Sequence, residues 1–145
     1  MFYKGKSDVV TSFSAASSKA LVTAIANAGA VNAICDPYGG AIADIADDAT
    51  AFAHRSRTLF NIQYYSEWTE AGRASQRRHL ANIEAVYAAM APFRTGGAYV
   101  NYCDLDLSSG NYAQAYWGAN LPRLKTVKAA YDLQNLFRHA QSVPL

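Results

Sequence analysis

The chain opens on "FYKGKSDVV" at 2–10, where apolar and β-branched residues lead and close a short polar run, and this predicts a strand. From Ser14 the period changes. Ala20, Leu21, Ala24, Ile25 and Ala28 recur at helical spacing, so a helix capped by Ser14 and stopped by Gly29 is expected. "AVNAIC" at 30–35 reads as a second strand ended by the turn "DPYGG", and "AIADIA" at 41–46 as a short third strand before the polar turn "DDAT". "RTLFNIQYYSEW" at 57–68 is the longest strand candidate, rich in β-branched and aromatic residues. Thr69 and Glu70 then open a helix to about Met90, with Leu80, Ile83, Tyr87 and Met90 as its inner stripe and Pro92 beyond its end. "AYVNYCDL" at 98–105 is read as another strand. After Asn111 the pattern turns helical, with Asn120 as a cap and Leu121, Leu124 and Val127 as the buried face.

The order β-α-β-β-β-α-β-α-α, with no phosphate-binding glycine motif, predicts an α+β fold in which helices cover a mostly antiparallel sheet. A chain of 145 residues is one domain or a large piece of one, and buries a core without metal or disulfide staples. A net charge of +2 is too weak to argue for nucleic-acid binding, and no basic stripe stands out. The densest basic spot, Arg73, Arg77 and Arg78, lies on a predicted helix and faces solvent. No apolar run approaches the roughly 20 residues of a membrane span, and no signal-peptide pattern opens the chain, so the compartment stays open. Cys35 and Cys103 lack a C-x-x-C partner and read as small buried hydrophobes, while His54, His79 and His139 are scattered. No metal site is expected.

The chemistry concentrates in "AYVNYCDLDL" at 98–107. A phenol with a pKa of about 10 is a poor base at neutral pH unless a charge, a hydrogen bond or another phenol assists it. In a regular strand Tyr99 and Asn101 point to one face and Tyr102 to the other. All three reach one ligand only if the strand ends or bulges near Tyr102. By the same two-residue period, Asn61, Gln63 and Tyr65 share a face of their strand.

The segments "FYKGKSDVVT", "DPYGGAI", "TAFAHR", "FNIQYYSEW", "YVNYCDLDL", "YWGANLPRLKTVKAAYD" and "NLFRHAQSVP" together resemble the C-terminal half of the berberine-bridge-enzyme-like FAD-linked oxidases, a group with the vanillyl-alcohol-oxidase fold. The resemblance runs in order along essentially the whole chain. It implies a two-domain flavin oxidase of which this chain lacks the N-terminal FAD-binding domain, including the residues that attach FAD covalently. Residues 1–97 would be part of the substrate-binding domain, and 98–145 the berberine-bridge-type C-terminal segment. The implied reaction oxidises an alcohol or amine of a sugar, glycosylated or other small metabolite, with hydride passing to flavin N5 and then to molecular oxygen. The implied partners are an FAD-binding domain or chain and the substrate, with neither nucleic acid nor membrane. The rival is a non-catalytic ligand- or partner-binding module.

The resemblance also implies roles. Tyr102, the second tyrosine of Y-x-N-Y, would be the base, and Tyr99 and Asn101 would lie near the flavin. Asp36 would assist Tyr102, the alternative being an Asx-type turn cap ahead of Pro37. Gln63 would bind substrate, with Asn61 and Tyr65 on the same cavity wall. A neutral amide at 63 cannot abstract a proton, which favours simple oxidation over carbon–carbon bridge formation. Trp68 and Trp117 are expected to pack, and Arg55 and Arg138 to tie segments together. Leu133 stands where the family usually has proline and removes a helix stop.

Overall fold

The computed structural model describes all 145 residues. Strands β1 (Phe2–Val10), β2 (Asn32–Pro37) and β3 (Phe60–Trp68) form one antiparallel sheet in the order β1-β3-β2. Helix α1 (Ala15–Ala28) carries the chain from β1 across β3 to β2, a split β-α-β unit, and α2 (Arg73–Ala89) packs beside it. Two shorter helices, α3 (Tyr112–Trp117) and α4 (Leu121–Tyr131), follow around a 3₁₀ turn at Gly118–Asn120. The fold is therefore α+β, as expected. No helix is long and apolar enough to cross a membrane.

Local chemistry sets the first helix. The Ser17 N–H donates to Ser14 Oγ at 3.3 Å and the Ser14 N–H donates to Ser17 Oγ at 2.7 Å, a reciprocal capping box. Gly29, at φ 62°, ends the helix. By contrast α2 starts at Arg73 behind Gly72, not at Thr69 and Glu70. Its inner stripe is also shifted from the expected one: Ser75, His79, Ile83, Val86 and Met90 are buried, while Leu80 is exposed and Tyr87 half-buried. His79 turns inward because Trp68 stacks on its ring at 4.7 Å and Ser66 Oγ, which donates to the Ala30 carbonyl, meets its Nδ1 at 3.0 Å.

Between the helices and the sheet, Val10, Ile62, Tyr64, Ile83, Val86 and Met90 are wholly enclosed. Burial of side chains this size contributes about 1.5–3 kcal/mol each. A second cluster gathers Ala98 with Tyr112, Ala113, Ala115, Tyr116 and Trp117. Leu121 and Leu124 pack partly against it, but Val127 is exposed, so α4 presents no fully buried face. Asn120 stands at the start of α4, yet its amide donates to the Asp47 and Thr50 carbonyls at 2.7 and 3.0 Å instead of capping the helix. Even without a proline at 133, α4 ends at Tyr131. The Asp132 carboxylate accepts the N–H groups of Leu136 and Phe137 and so redirects the chain.

Two expected strands are absent. Residues 41–46 form a 3₁₀ turn at Gly40–Ile42 and further turns, because β3 is already paired along both edges and Gly40 sits at φ 58°. Residues 98–105 are also irregular. The preceding residues touch the free edge of β1 only briefly, through Thr95 N–H to Val9 O at 3.3 Å and Val9 N–H to Gly97 O at 3.1 Å. Both cysteines are exposed rather than buried, since Cys35 lies on the outer strand and Cys103 in the irregular segment.

That segment is fastened by charge. Lys6, nearly inaccessible on β1, bonds Asp104 Oδ2 at 3.1 Å, Asp106 Oδ2 at 2.8 Å and Glu84 Oε2 at 3.1 Å. Burial alone would lower the Lys6 pKa, and the bonds to Asp106 and Glu84 with the charge of Asp104 reverse the sign and raise it. Lys4 adds a second ammonium on Asp104 and Asp106. Lys6→Met leaves the buried Asp104 with Lys4 as its one cation and removes the ammonium shared with Asp106 and Glu84. It should lower stability by about 3 kcal/mol or more in a denaturant titration, and free residues 98–107 to proteolysis before the rest unfolds.

Asp8 is the other buried charge, 1% exposed, with Tyr64 donating to its Oδ2 at 2.8 Å and Arg94 3.7 Å from its Oδ1. Burial pushes its pKa up to about 7, against the opposing pull of Tyr64, Arg94 and Lys6. The folded state thus keeps a proton that the unfolded chain, at 3.8, has lost. Its contribution is fully present below the unfolded value and is lost as pH rises through the folded one. Asp8→Asn should flatten the fall of melting temperature between about pH 4 and pH 7; an unchanged slope would remove Asp8 as its source.

Candidate functional site

The helices cover one face of the sheet, and the two-residue period places Ser7, Asp36, Asn61, Gln63 and Tyr65 on the other. In register, Asp36 pairs with Asn61, and Ser7 with Gln63. Residues 98–102 pass over this face. The Tyr99 N–H donates to Ser7 Oγ at 2.9 Å, and the Tyr102 N–H donates to the Tyr99 carbonyl at 2.9 Å. This second bond closes a turn, so Tyr102 lies beside Tyr99 instead of opposite it. Their ring centres are 5.0 Å apart and perpendicular, and Asn101 Nδ2 donates to the Tyr99 hydroxyl at 2.8 Å.

Electrostatics ties Asp36 to the same group. Burial first, then the Asp36 carboxylate and Tyr99, raises the Tyr102 pKa above the ordinary phenol value. Tyr38, which the sequence reading passed over inside "DPYGG", belongs here as well. Burial pushes its pKa up to about 12, with Tyr99, Asp36 and Tyr102 adding to the effect. One carboxylate therefore acts on two phenols, Tyr38 and Tyr102, and both hold their protons at neutral pH.

The aromatic residue that organises the surroundings is Phe52, from "TAFAHR". It meets Tyr38, His54 and Tyr99 edge-on at 5.7, 5.8 and 5.7 Å. His54 is anchored through Nε2 to the Ala115 carbonyl at 2.9 Å, and burial lowers its pKa. The chain passes so close to this ring that a Cβ at Gly97 would lie 2.7 Å from His54 Cε1. Only the glycine in "TAFAHR…TGGAY" signals that approach, and it does so without naming its neighbour. A cleft of about 370 Å³ opens beside this cluster, with Tyr38, Phe52, Arg55, Tyr99, Asn101 and Trp117 in its lining.

The other expected site residues are placed differently. Asn61 has no exposed surface, and neither atom of its amide finds a partner. Gln63 is half-buried and leans toward Gly5. Tyr65 donates to Glu67 at 2.8 Å and pairs with Asn32, four residues along β3 from Asn61, or about 13 Å. The structure thus gathers Asp36, Tyr99, Asn101 and Tyr102 and leaves Tyr65 apart. Arg138 is exposed and bonds nothing, so it ties no segments together; Trp68 and Trp117 are buried packing residues, as expected. No group of three or more His, Cys, Asp or Glu residues is placed to hold a metal ion.

Asp36→Asn should bring the pKa values of Tyr38 and Tyr102 down toward that of a free phenol, by removing the shared negative charge. Tyrosinate absorbance in an alkaline titration reads this directly, with Tyr102→Phe identifying its share.

Residues 98–144 match the family model described as "Berberine and berberine like". Berberine bridge enzyme-like C-1 of Nicotiana tabacum is 39% identical over 98% of this chain, which covers 30% of that protein. Monolignol oxidoreductase AtBBE-like 13 of Arabidopsis thaliana is 38% identical over 77% of the chain and 22% of its own length. Among solved structures, BBE-like #28 from Arabidopsis thaliana superposes with a TM-score of 0.90 at 28% identity, over 99% of this chain and 34% of that one. Phl p 4, a grass pollen allergen with glucose dehydrogenase activity, gives 0.87 at 33% identity over 99% and 32%. The chain spans between 22 and 34% of the length of these relatives. It belongs to the berberine bridge enzyme-like family and corresponds to the C-terminal part of its longer members.

Proposed function

We propose that this chain is the substrate-binding part of an FAD-dependent oxidase that acts on an alcohol or amine of a sugar, glycosylated or other small metabolite. Residues 1–97 supply the substrate-binding sheet and 98–145 the C-terminal segment, and an FAD-binding domain or chain completes the site. The observation that carries this reading is the turn at Tyr99–Tyr102, which sets the Tyr102 ring against that of Tyr99 and leaves Tyr102 within the influence of Asp36. Relatives whose names include monolignol oxidoreductase and glucose dehydrogenase activity support oxidation of a hydroxyl group.

The residues present suit a flavin ring but not the rest of the dinucleotide. Tyr99 and the Asn101 amide line an aromatic cleft that fits a flat ring, whereas no glycine-rich cradle offers N–H groups to a pyrophosphate. When bound, FAD accepts the hydride and passes the electrons to oxygen. The protein's own task is the proton. A phenol whose pKa is raised is not ionised beforehand, so Tyr102 works as a relay: its oxygen takes the substrate's hydroxyl proton as its own moves to Asp36. Gln63 binds substrate through a neutral amide. Asn61 lies enclosed beside Asp36, beneath the site.

The exposed apolar side chains Tyr131, Leu133, Leu136 and Phe137, from 73 to 87% accessible, support a covering partner. Co-expression with the flavin-binding region of a relative, followed by stopped-flow reduction, tests the whole reading. Tyr102→Phe should slow flavin reduction by about 10²–10⁴-fold while visible flavin absorbance stays the same. Unchanged reduction would end the role given to Tyr102, and a colourless chain that takes up no flavin-binding partner would favour a non-catalytic module.

A further inference from the structure

A second cavity, of about 390 Å³, shares no lining residue with the Phe52 cleft. It opens where the 94–97 link runs along the free edge of β1, between the end of α2 and the start of α3. Arg94 is its one charged lining group. The guanidinium lies 3.8 Å from the centre of the Tyr87 ring, which fixes its position. The acid that faces it, Asp8 through Oδ1, is 3.7 Å away and beyond hydrogen-bond reach. Arg94 Nη1 and Asp8 Oδ1 are both enclosed, and neither has a hydrogen-bond partner. A guanidinium offers five N–H donors, and here none of them is hydrogen-bonded although the side chain is only 24% exposed.

Two amides stand beside it. Asn111 precedes α3 without capping it, Gln114 lies within the helix, and neither side chain bonds anything in the chain. Thr95, by contrast, is committed: its hydroxyl donates to the Val9 carbonyl at 2.8 Å and accepts the Gly97 N–H at 3.1 Å. Tyr87, Leu107 and Ala115 add apolar surface.

Asp8 sets the charge of this cavity. Arg94 and Tyr64 face its carboxylate, with Lys6 on the same strand and Tyr87 on α2. Lys6 is taken up by Asp104, Asp106 and Glu84. His54, bonded to the Ala115 carbonyl, has its pKa lowered by burial and stays neutral. While Asp8 holds its proton, Arg94 is therefore a cation without a counter-charge; once Asp8 ionises, it neutralises Arg94 and repels any second carboxylate. One cation with two amide donors and an apolar wall suits a singly charged carboxylate, and a doubly charged anion would leave one charge unmatched.

We propose that this cavity binds a small aliphatic monocarboxylate, held by Arg94 with Asn111 and Gln114, and that the charge of Asp8 gates it. The site uses neither Tyr102 nor the flavin face, so its failure and that of the oxidase reading are separate events.

An NMR titration of this chain with butyrate, 1-butanol and sulfate at about pH 6, where the acid probe is ionised and Asp8 is not, tests the site at the Arg94 Nε–H and Gly96 N–H signals. Butyrate should move both signals and bind about tenfold more tightly than butanol, with sulfate weaker than butyrate. Raising the pH to about 8 should weaken butyrate roughly tenfold, and Asp8→Asn should remove that fall. Arg94→Gln should abolish the preference for butyrate over butanol. Asn111→Ala combined with Gln114→Ala, both at exposed positions, should weaken butyrate several-fold at an unchanged melting temperature, and this variant decides if Arg94→Gln does not fold. Equal affinity for butyrate and butanol, tighter binding of sulfate, shifts confined to signals away from the cavity, or full butyrate affinity in the folded variants would overturn the site. So would no binding at on the order of 100 mM. A pH dependence that persists in Asp8→Asn would overturn the gate.

Discussion

Asp104 is the point on which the remainder of the structure depends. Its carboxylate takes Lys4 and Lys6 from β1, its N–H donates to the Tyr116 hydroxyl on α3, and its carbonyl accepts from Gln141 near the C-terminus. One residue therefore joins the sheet, the irregular 98–107 segment, the short helices and the tail. A carboxylate this enclosed is tolerated only because two ammonium groups and several hydrogen bonds satisfy it together. Removing any one of them exposes the cost of the others.

That clasp explains how an irregular segment can hold a precise arrangement of side chains. Residues 98–102 have neither helix nor ladder to fix them, yet Ser7 holds one end and Asp104 the other. Between these anchors the Tyr99–Tyr102 turn is short, and its phenols have few alternatives. The neighbouring wall at the end of β2 carries Asp36 and, just beyond the strand, Tyr38, and Phe52 packs against both Tyr38 and Tyr99. Rigid anchoring on either side of a loop is a general way to place reactive groups without building them into a strand.

Much of the scaffold was legible in the residues. The Ser14 cap and Gly29 stop marked α1, and the alternation in "FNIQYYSEW" marked β3 and which residues share its open face. Local signals misled where burial depends on partners. Leu80 reads as more apolar than His79, but Trp68 and Ser66 supply the histidine with a stacking surface and a hydrogen bond that no sequence window contains. Val127 reads as buried, yet it stays 47% exposed. Residues 41–46 and 98–105 have strand-like composition, but β3 has no free edge for the first, and the second is drawn out of the sheet by Ser7 and Lys6.

The sequence by itself determined the periodic elements, the α+β class, and the small set of polar residues from which a site could be made. Those properties follow from spacing along the chain, which tertiary contacts do not alter. Only the tertiary structure decided that Tyr102 turns back beside Tyr99, that Tyr38 and Phe52 join them, that Tyr65 does not, and that Arg94 lines a cavity beside Asp8. The physical reason is separation: even where a turn closes locally, its place in the site is set by contacts between residues tens of positions apart, such as Ser7 with Tyr99 or His54 with Ala115. Their geometry exists only after the chain has closed on itself.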